Sequence, residues 1–470
     1  MEKFFHLKEH NTTVRTEIMA GLTTFMAMAY ILLVNSNMFS NPFGDGTDVL
    51  GVSQGAIYIA TALSAVVGTV LIGLLSNLPL AQASGMGLNA YFVYTVCVGF
   101  GFTYANALVM VLIDGIVFMI LTLTGLRKKI FEGIPAAVRM AIPAGIGLFI
   151  AFLGLQNAGI VVNNDSTLVS LVSFNFLADA TWASVMPIVV TILTLIAIAV
   201  MSQRKIKGAV LWGILGGSVA YYILGITVPE FYANFSLGTM NPLDAFADFG
   251  KMSVGKVFTE GFNFSDYIEA HGSANLVLAL ITTALAFCMV DMFDTIGTLY
   301  GACARGDLLD EKGEVPNMNK AMLADAIATT TGAVCGTSTV TTFVEASAGI
   351  GEGGRTGLSA MSTAAMFFIA MFLSPVASLI PGCATAAALI YVGVLMMNCV
   401  KSIDWLSPAV AVPAFLTIAL MPFTYNISYG IAFGIISSLI ISLFTGKGKD
   451  VKVTTWIIAV LFIAMFVLTH

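Results

Sequence analysis

The stretch TVTTFVEASAGIGEGG, from Thr339 to Gly354, lies between two long apolar segments and decides the fold. It combines an acid, Glu345, with β-branched residues at its start and four glycines at its end. A continuous helix through these glycines would be costly, because each interior glycine costs about 1 kcal/mol relative to alanine. We therefore expect a short extended segment over 339–343 that interrupts a membrane helix. Non-helical backbone at this depth is tolerated only against protein or a water-filled cavity.

A second, similar stretch lies in the first half of the chain. QASGMG at 82–87 follows an apolar run that contains ATAL at 60–63, and EASAGIG at 345–351 follows a run that contains ADAI at 324–327. In each half a glycine stands between the two motifs at nearly the same distance. Seven predicted spans separate the copies, and an odd number turns the second copy upside down. Inverted repeats of this kind build alternating-access transporters, although apolar segments also match one another by chance.

The composition indicates an all-α polytopic membrane protein. Of the 470 residues, 58% are hydrophobic and only 10% are charged, whereas a soluble protein carries about a quarter charged residues. A helix needs roughly 20 mostly apolar residues to cross a bilayer, and such runs recur along the chain. We predict about fourteen segments, with short extended breaks in the third, 79–98, and the tenth, 338–350. The other predicted segments are 17–36, 54–76, 102–124, 136–155, 185–201, 208–225, 274–300, 320–336, 356–378, 383–400, 407–422 and 427–445.

The basic residues predict the orientation, since cytoplasmic loops are rich in Lys and Arg. With the N-terminus in the cytoplasm and alternating segments, 17 of the 20 Lys and Arg fall on the cytoplasmic side. Lys251 and Lys256 fall on the other side, in a mainly acidic loop over 226–272, and the remaining residue, Arg139, lies at the inner end of the fifth segment. A last apolar run, 453–469, follows a basic linker and is either a further span or a helix lying against the membrane.

Five acidic residues fall inside predicted segments, and no Lys or Arg stands in mid-span to pair with them. Acids at membrane depth are costly and usually serve a function or pair with another group. Glu345, at the break of the tenth segment, and Asp294 are the candidates for binding a ligand and a proton. Asp291 lies three residues before Asp294 on the same helical face and could assist it. Asp114 and Asp325 stand among small apolar residues, where structural hydrogen bonds are expected.

Several other functions are not favoured by the sequence. GIGEGGRT at 349–356 resembles a phosphate-binding loop, but a true one follows a buried strand in an α/β domain, so we exclude ATP as the energy source. The six cysteines form no CxxC pair, so no metal site is expected. The four histidines stand outside the predicted segments, which disfavours an intramembrane hydrolase. The charges sit in loops, and no nucleic-acid partner is expected.

Five stretches resemble a known family. They are EIMAGLTTF at 17–25 together with AYI at 29–31, GMGLNA at 85–90, DTIGTL at 294–299, the motif at 341–357 and IYVGV at 390–394. On these residues the chain resembles the nucleobase–cation symporter-2 family, within it the adenine–guanine–hypoxanthine permease branch. The similarity runs from about the N-terminus to the last segment.

The resemblance implies a uracil-permease-like fold of seven plus seven inverted segments. A core domain would comprise segments one to four and eight to eleven, and a gate domain the others, with substrate between them at the two breaks. The implied boundaries are 1–126 and 273–379 for the core domain, 127–228 and 380–446 for the gate domain, 229–272 for an extracellular loop and 447–470 for a C-terminal apolar segment.

The resemblance also implies roles in substrate binding. Glu345 would hold the edge of the base and Asp294 would take part in binding it. Phe343 would line the ring plane, and Asn89 would lie nearby. The further substrate-binding candidates are Ser84, Thr295, Ala346 and Ser347.

Proton coupling would rest on Asp294 and Glu345, with Asp291 and Thr298 in weaker roles. Uracil permeases of this fold have Glu-His-x-Gly-His in the eighth segment, whereas this chain has DTIGT at 294–298. Without a histidine there, the proton must use a carboxylate or water.

The expected function is proton-coupled uptake of guanine, hypoxanthine or adenine across the plasma membrane by alternating access, with no cofactor. The expected partners are a purine nucleobase, a proton and the lipid bilayer, and a homodimer is left open. The alternatives left open are a sulfate- or bicarbonate-type anion transporter of the same fold, a xanthine or uracil permease, and a channel. An anion carrier would favour a cation, or bare helix ends, at the site rather than two acids.

Overall fold

The fold is helical apart from two short two-stranded sheets, within the residues that the structure describes. The computed structural model describes residues 5–43, 46–124, 134–164, 166–177, 180–227, 242–305, 308–309, 315–377, 379–448 and 451–469.

In the first half of the chain, helices form where apolar segments were predicted. The elements are α1 (Val14–Met28), α2 (Tyr30–Ser40), α3 (Gln54–Ser76), β1 (Gln82–Ser84), α4 (Met86–Ala90), a π-helix (Tyr91–Gly99), α5 (Tyr104–Thr124), α6 (Ala136–Asn157), β2 (Val161–Asn164), β3 (Leu168–Leu171), α7 (Trp182–Gln203) and α8 (Ala209–Thr227). Hydroxyl side chains begin three of these helices, because Thr13, Ser53 and Thr181 each accept a backbone N–H from the first turn of α1, α3 and α7.

The second half of the chain is also mainly helical. Its elements are α9 (Pro242–Asp248), a π-helix (Phe249–Ser253), α10 (Lys256–Thr259), α11 (Ser265–His271), α12 (Ser273–Arg305), α13 (Met318–Cys335), β4 (Val340–Thr342), a 3-10 helix (Val344–Ala346), α14 (Ser347–Gly351), α15 (Gly357–Ala370), a 3-10 helix (Met371–Leu373), α16 (Ser374–Ala377), α17 (Gly382–Met396), a 3-10 helix (Met397–Ser402), α18 (Pro408–Phe423), α19 (Ile427–Phe444) and α20 (Val453–Thr469). The last apolar run therefore forms a helix, α20, which packs against α12 and α19.

Nine helices of the described chain are long and apolar enough to cross a membrane. They are Val14–Ser40, Gln54–Ser76, Tyr104–Thr124, Ala136–Asn157, Trp182–Gln203, Ser273–Cys303, Gly357–Ala377, Gly382–Ser402 and Ile427–Phe444. Shorter apolar helices cover Met86–Gly99, Ala209–Gly225, Pro408–Phe423 and Val453–Ala464. The chain is thus a multi-pass helical membrane protein, while the arrangement of fourteen segments as seven plus seven stays a prediction.

Both predicted breaks are extended, and they pair with each other. Strands β1 and β4 are antiparallel, with Ala83 opposite Thr341. The pairing continues where the Gly85 N–H donates to the Thr339 carbonyl at 3.0 Å. Both strands are buried throughout. The backbone groups that lose helical partners at the breaks therefore bind one another, which is what a non-helical segment at membrane depth requires.

The two glycines of the internal repeat make equivalent contacts. A Cβ on Gly68 would lie 2.9 Å from Oε1 of Gln82, and a Cβ on Gly332 would lie 2.6 Å from the carbonyl oxygen of Ser338. Each glycine allows its helix, α3 or α13, to approach the neighbouring break closely. Close approach therefore explains why a side chain is missing at both positions.

The helices pack as two sets that meet around the paired strands. In the first set α3 packs against α13 and α15, and α13 also packs against α5. In the second set α6 packs against α17 and α18, and α18 packs against α19. The short helix α4 contacts both α6 and α12. The boundaries expected for a core and a gate domain remain a prediction, and those near 126 and 228 lie outside the described residues.

One sheet was not predicted. Strand β2 pairs with β3 as an antiparallel hairpin between α6 and α7, with Val161 opposite Leu171. The β-branched residues of the run VVNN favour a strand, and Asn164 accepts from the N–H groups of Ser166 and Thr167 in the turn. The expectation of an all-α fold with extended segments only at the two breaks therefore omitted this hairpin.

Glu17 is a buried acid that the sequence analysis did not count. Its carboxylate accepts the backbone N–H groups of Arg355 at 2.9 Å, Thr356 at 3.4 Å and Ser359 at 3.2 Å. These groups begin α15, where the first N–H groups of a helix have no partner within it. A negative charge is also favourable at this positive end of the helix dipole. Glu17 therefore joins α1 to the start of α15.

Candidate functional site

A small cavity lies where the two breaks meet α2, α12 and α17. Its volume is about 170 Å³, below the roughly 300–1,000 Å³ of sites for drug-sized ligands. The polar side chains in its wall belong to Tyr30, Asp294, Thr298, Thr342 and Glu345. The cavity therefore suits a small polar molecule.

The breaks supply helix starts to this cavity. Strand β1 ends at Ser84, and the apolar helix Met86–Gly99 begins two residues later, with Met86 and Gly87 in the cavity wall. The first backbone N–H groups of a helix have no partner within it and carry partial positive charge. This side of the cavity can therefore donate hydrogen bonds, while the acids on the other elements accept them.

Glu345 is held by a tyrosine that the sequence analysis did not assign to the site. Tyr30 donates from Oη to Oε1 of Glu345 at 2.8 Å. Its side chain is 1% exposed and lies at the start of α2. In the sequence Tyr30 was marked only by the run Ala29-Tyr30-Ile31, which is one of the stretches that carry the family resemblance. A tyrosine in an apolar span is otherwise more often a packing residue. The hydrogen bond fixes the carboxyl group of Glu345 in the wall of the cavity.

Asp294 faces the same cavity from the middle of α12. A Cβ added to Gly85 would lie 3.7 Å from Oδ2 of Asp294, so the carboxyl group lies directly beside the first break. Thr298, one turn further along α12, also lines the cavity. Phe343 contributes an aromatic ring from the second break. The structure therefore brings four of the predicted site residues together: both acids, the phenylalanine and Thr298.

Asp325 lies behind the cavity and joins three elements. Its carboxylate accepts from Gln82 Nε2 on β1 at 3.0 Å, from Thr295 Oγ1 on α12 at 2.7 Å and from Thr342 Oγ1 on β4 at 3.4 Å. These bonds confirm the structural role expected of this acid. They fix both strands relative to the helix that carries Asp294.

Asn89 and Ser84 take part in a second buried network. The amide oxygen Oδ1 of Asn89 accepts from Ser84 Oγ at 2.7 Å and also from Ser338 Oγ. Thr337 Oγ1 lies 3.0 Å from Ser84 Oγ and accepts from Asn35 Nδ2 at 3.1 Å. Asn89 thus connects the two breaks with each other, and it is not among the residues that line the cavity. Asn89 can therefore affect a ligand only indirectly, because its hydrogen bonds fix the position of α4.

The remaining predicted residues lie around the cavity. Thr295 bonds to Asp325, and its Oγ1 lies 3.0 Å from Thr341 Oγ1. Ala346 is fully buried beneath the second break. Asp291 is also fully buried, and its Oδ2 accepts from Thr329 Oγ1 at 3.5 Å. The structure therefore places these three near the acids of the cavity without placing them in its wall.

A wider cavity of about 870 Å³ adjoins the small one. Tyr30 and Glu345 belong to the walls of both, and Ser347 lines the wider one. Lys207 and Glu352 also line the wider cavity, and their Nζ and Oε2 atoms are 2.7 Å apart. Lys207 is one of the 17 basic residues that are predicted to lie on the cytoplasmic side. The wider cavity therefore connects Glu345 with this basic residue.

Metal binding finds no support in the described part of the chain, which holds no group of three or more His, Cys, Asp or Glu able to bind an ion. The chemistry of the small cavity is that of two acids, a tyrosine hydroxyl, a threonine hydroxyl and helix N–H groups. Such a wall can both accept hydrogen bonds from a small molecule and donate hydrogen bonds to it.

Comparisons with known proteins agree with this chemistry. A model described as "Permease family" matches residues 15–433. The adenine permease AdeP of Escherichia coli is 36% identical over 467 residues, which is 99% of this chain and 96% of that protein. The guanine/hypoxanthine permease PbuO of Bacillus subtilis is 38% identical over 470 residues, 99% of this chain and 100% of that protein. These relatives are permeases and not enzymes.

A solved structure shares the fold. The transmembrane domain of the cyanobacterial bicarbonate transporter BicA aligns with a TM-score of 0.60 over 88% of this chain and 97% of that domain. The sequence identity is 16%. At this identity the similarity shows a common transporter fold alone.

Proposed function

Since the chain belongs to the nucleobase–cation symporter-2 permease family, we propose that it carries purine nucleobases into the cell together with protons. The observation that carries this proposal is a single small cavity in which Glu345 and Asp294 face the paired breaks of two helices. Adenine, guanine and hypoxanthine are the candidate substrates, because the relatives are named for these bases.

The cavity wall complements a purine. The carboxylate oxygens of Glu345 and Asp294 accept hydrogen bonds from the N–H groups of the base. The N–H groups at the start of α4 donate to its carbonyl oxygen or ring nitrogens. Phe343 offers an aromatic surface to the flat ring. Such a set of donors and acceptors selects a heterocycle over an inorganic anion.

Proton coupling is the second part of the proposal. Acids inside membrane proteins commonly serve as proton relays, and Asp294 and Glu345 share one cavity. One proton that moves inward across about 100 mV releases about 2.3 kcal/mol, enough for roughly fiftyfold accumulation of a neutral base. We propose one proton per base, with the proton gradient as the energy source and no cofactor. Asp291 and Thr298 assist the proton's movement in this scheme.

Alternating access would proceed by movement of the two helix sets against each other, with the cavity between them. The wider cavity leads from Glu345 to Lys207, and we assign this end to the cytoplasm of a plasma-membrane protein whose N-terminus is also cytoplasmic. This assignment makes the described conformation an inward-open one. The core and gate domains of the family then correspond to the first and second helix sets.

The test is uptake of labelled hypoxanthine, guanine, adenine, xanthine and uracil in a strain that lacks its own nucleobase transporters. We expect saturable accumulation of one or more of the first three bases, abolished by a protonophore. Glu345→Gln and Asp294→Asn should lose uptake, while the matched changes Glu269→Gln and Asp404→Asn, at exposed positions, should not. Uptake that survives both the protonophore and the cavity variants would refute the proposal.

Transport of an inorganic anion is the main competing function, because the solved structure of the same fold is a bicarbonate transporter. The two acids in the cavity argue against it, since they repel an anion. Competition of sulfate or bicarbonate with purine uptake would instead favour transport of an inorganic anion.

A further inference from the structure

The apolar helix Met86–Gly99 touches the second helix set along one of its faces. Gly87, near its start, lines the small cavity, and a Cβ at this position would lie 2.6 Å from Ile146 Cγ2 on α6. One turn further along, the hydroxyl oxygen of Tyr91 lies 2.6 Å from that of Ser428, at the start of α19. Because residues four positions apart lie on the same face of a helix, these contacts belong to one interface between the two sets.

Beyond Tyr91 the interface ends in a group of aromatic rings. The ring centroid of Tyr94 lies 6.5 Å from that of Phe149 on α6 and 5.7 Å from that of Tyr425, just before α19. The rings of Phe149 and Tyr425 are themselves 5.5 Å apart. With a cytoplasmic N-terminus and alternating segments, this end of the helix faces the outside. We call the five residues Tyr91, Tyr94, Phe149, Tyr425 and Ser428 the outer contact.

Tyr91 has its ring in the first helix set and its hydroxyl group against the second. The ring meets that of Phe287 edge-on, with centroids 4.8 Å apart. Phe287 belongs to α12, which packs against α5 of the first set and also carries Asp294. Tyr91 is fully buried, and Ser428 is 2% exposed. The hydrogen bond between them therefore connects the two sets in a place that water does not reach.

A second hydroxyl group, that of Thr283, lies close to the hydroxyl of Tyr91. Thr283 is on α12, one turn before Phe287, and is fully buried. Within the residues that the structure describes, its Oγ1 has no hydrogen-bond partner. A buried polar atom without a partner is costly. The cost is explained if another conformation of the protein supplies the partner.

We propose that Tyr91 is a hydroxyl switch, bonded to Ser428 while the outer contact is closed and to Thr283 while it is open. This inference rests on the alternating access and the orientation proposed above. Opening to the outside separates α19 from the helix Met86–Gly99 and breaks the bond to Ser428, while Tyr91 stays against α12. The hydroxyl of Tyr91 then turns to Thr283. One hydrogen bond replaces the other, so the sets can part without leaving the buried tyrosine unpaired.

The test is the rate at which a reporter cysteine, Ile146→Cys, reacts with a membrane-impermeant maleimide added outside intact cells. Ile146 is 4% exposed and lies against Gly87, between the outer contact and the acids. The reagent therefore reaches it only when the outer contact is open. The rate is normalised to the amount of protein in the membrane and corrected for the labelling of the chain that lacks the reporter. Labelling needs no substrate, so it tests the switch separately from the transported base and the coupled ion.

The variants should change the rate in opposite directions. Ser428→Ala removes the bond of the closed state and should raise the rate about two- to tenfold, which is the change that one neutral hydrogen bond supports. Thr283→Val removes the bond of the open state and should lower the rate by a similar factor. Tyr91→Phe removes both bonds and should stay near the wild type. In the Tyr91→Phe background, neither of the other two changes should have an effect.

Tyr58→Phe is the matched control, because this buried tyrosine donates to the Ala370 carbonyl within the first set. Its labelling rate should equal that of the wild type. If Thr283→Val does not reach the membrane, Thr283→Ala takes its place. A change of the same sign in the serine and threonine variants, effects that persist in the Tyr91→Phe background, or rates that no variant alters would each overturn the switch. None of these results would bear on whether the wild type transports purines.

Discussion

Tyr30→Phe removes one hydroxyl group from the small cavity and leaves the ring in place. In the native chain this hydroxyl donates to Glu345 at 2.8 Å, and the side chain is 1% exposed. The ring packing is retained in the variant, so the amount of folded protein should not change. What is lost is the bond that holds the carboxylate of Glu345 in the direction of the ligand.

The magnitude follows from the type of bond. A hydrogen bond to a charged group contributes about 1.5–3 kcal/mol, and about 1.4 kcal/mol corresponds to a tenfold change in affinity. Part of this free energy is recovered when Glu345 reorients towards the ligand or water. We therefore expect the KM for the transported base to rise about tenfold, with a smaller change in the maximal rate.

The assay is initial-rate uptake of the labelled base over a range of concentrations, normalised to the amount of protein in the membrane. Tyr58→Phe is the matched control, because Tyr58 is also buried and donates its hydroxyl to the Ala370 carbonyl at 3.0 Å, away from the cavity. An unchanged KM in Tyr30→Phe, or an equal rise in Tyr58→Phe, would refute the positioning role of Tyr30.

Three further predictions concern stability, measured as the midpoint of thermal unfolding in detergent. Gly332→Ala should destabilise the chain by about 1–3 kcal/mol, because its Cβ would lie 2.6 Å from the Ser338 carbonyl oxygen. Gly301→Ala is the control and should not destabilise the chain, because a Cβ at Gly301 would have nothing within 4 Å. Equal midpoints in the two variants would count against the close approach at Gly332. Asp325→Asn should lower the midpoint by an amount equivalent to about 1–3 kcal/mol, since an amide N–H₂ would face groups that donate to this carboxylate. Glu17→Gln should cost about 1 kcal/mol through the weaker capping of α15. An unchanged midpoint would show that an amide oxygen caps this helix as well as the carboxylate does.

The two breaks could be predicted from the sequence because the residues that interrupt the helices lie within the breaks themselves. Glycines that follow Gln82 and Glu345 make a continuous helix unfavourable, and the polar residues between apolar runs mark the depth of the interruption. The pairing of these breaks with each other was not predicted, although it satisfies the requirement that buried backbone groups find partners. Glu345 and Asp294 were accessible for a similar reason, since an acid in an apolar span is costly unless it has a use.

The partners of these acids were not accessible, because they depend on the three-dimensional register of distant helices. Tyr30 lies 315 positions before Glu345, and nothing local distinguishes it from a packing tyrosine. Asn89 is the opposite case, because it was predicted to bind the ligand. From the sequence, its amide could form hydrogen bonds either with a ligand or with another part of the chain. In the structure its oxygen accepts from Ser84 and from Ser338, the latter 249 positions away. Whether a polar side chain lines the cavity or joins a buried hydrogen-bond network is determined by how the helices pack.

The most direct test of the central claim is proton movement driven by hypoxanthine in proteoliposomes that contain the purified chain and a trapped pH indicator. The account predicts acidification of the lumen when hypoxanthine enters through wild-type protein, and its loss in Asp294→Asn and Glu345→Gln. The exposed-site variants Asp404→Asn and Glu269→Gln should behave as the wild type does. Entry of hypoxanthine without any proton movement, or full proton movement in both cavity variants, would contradict the account.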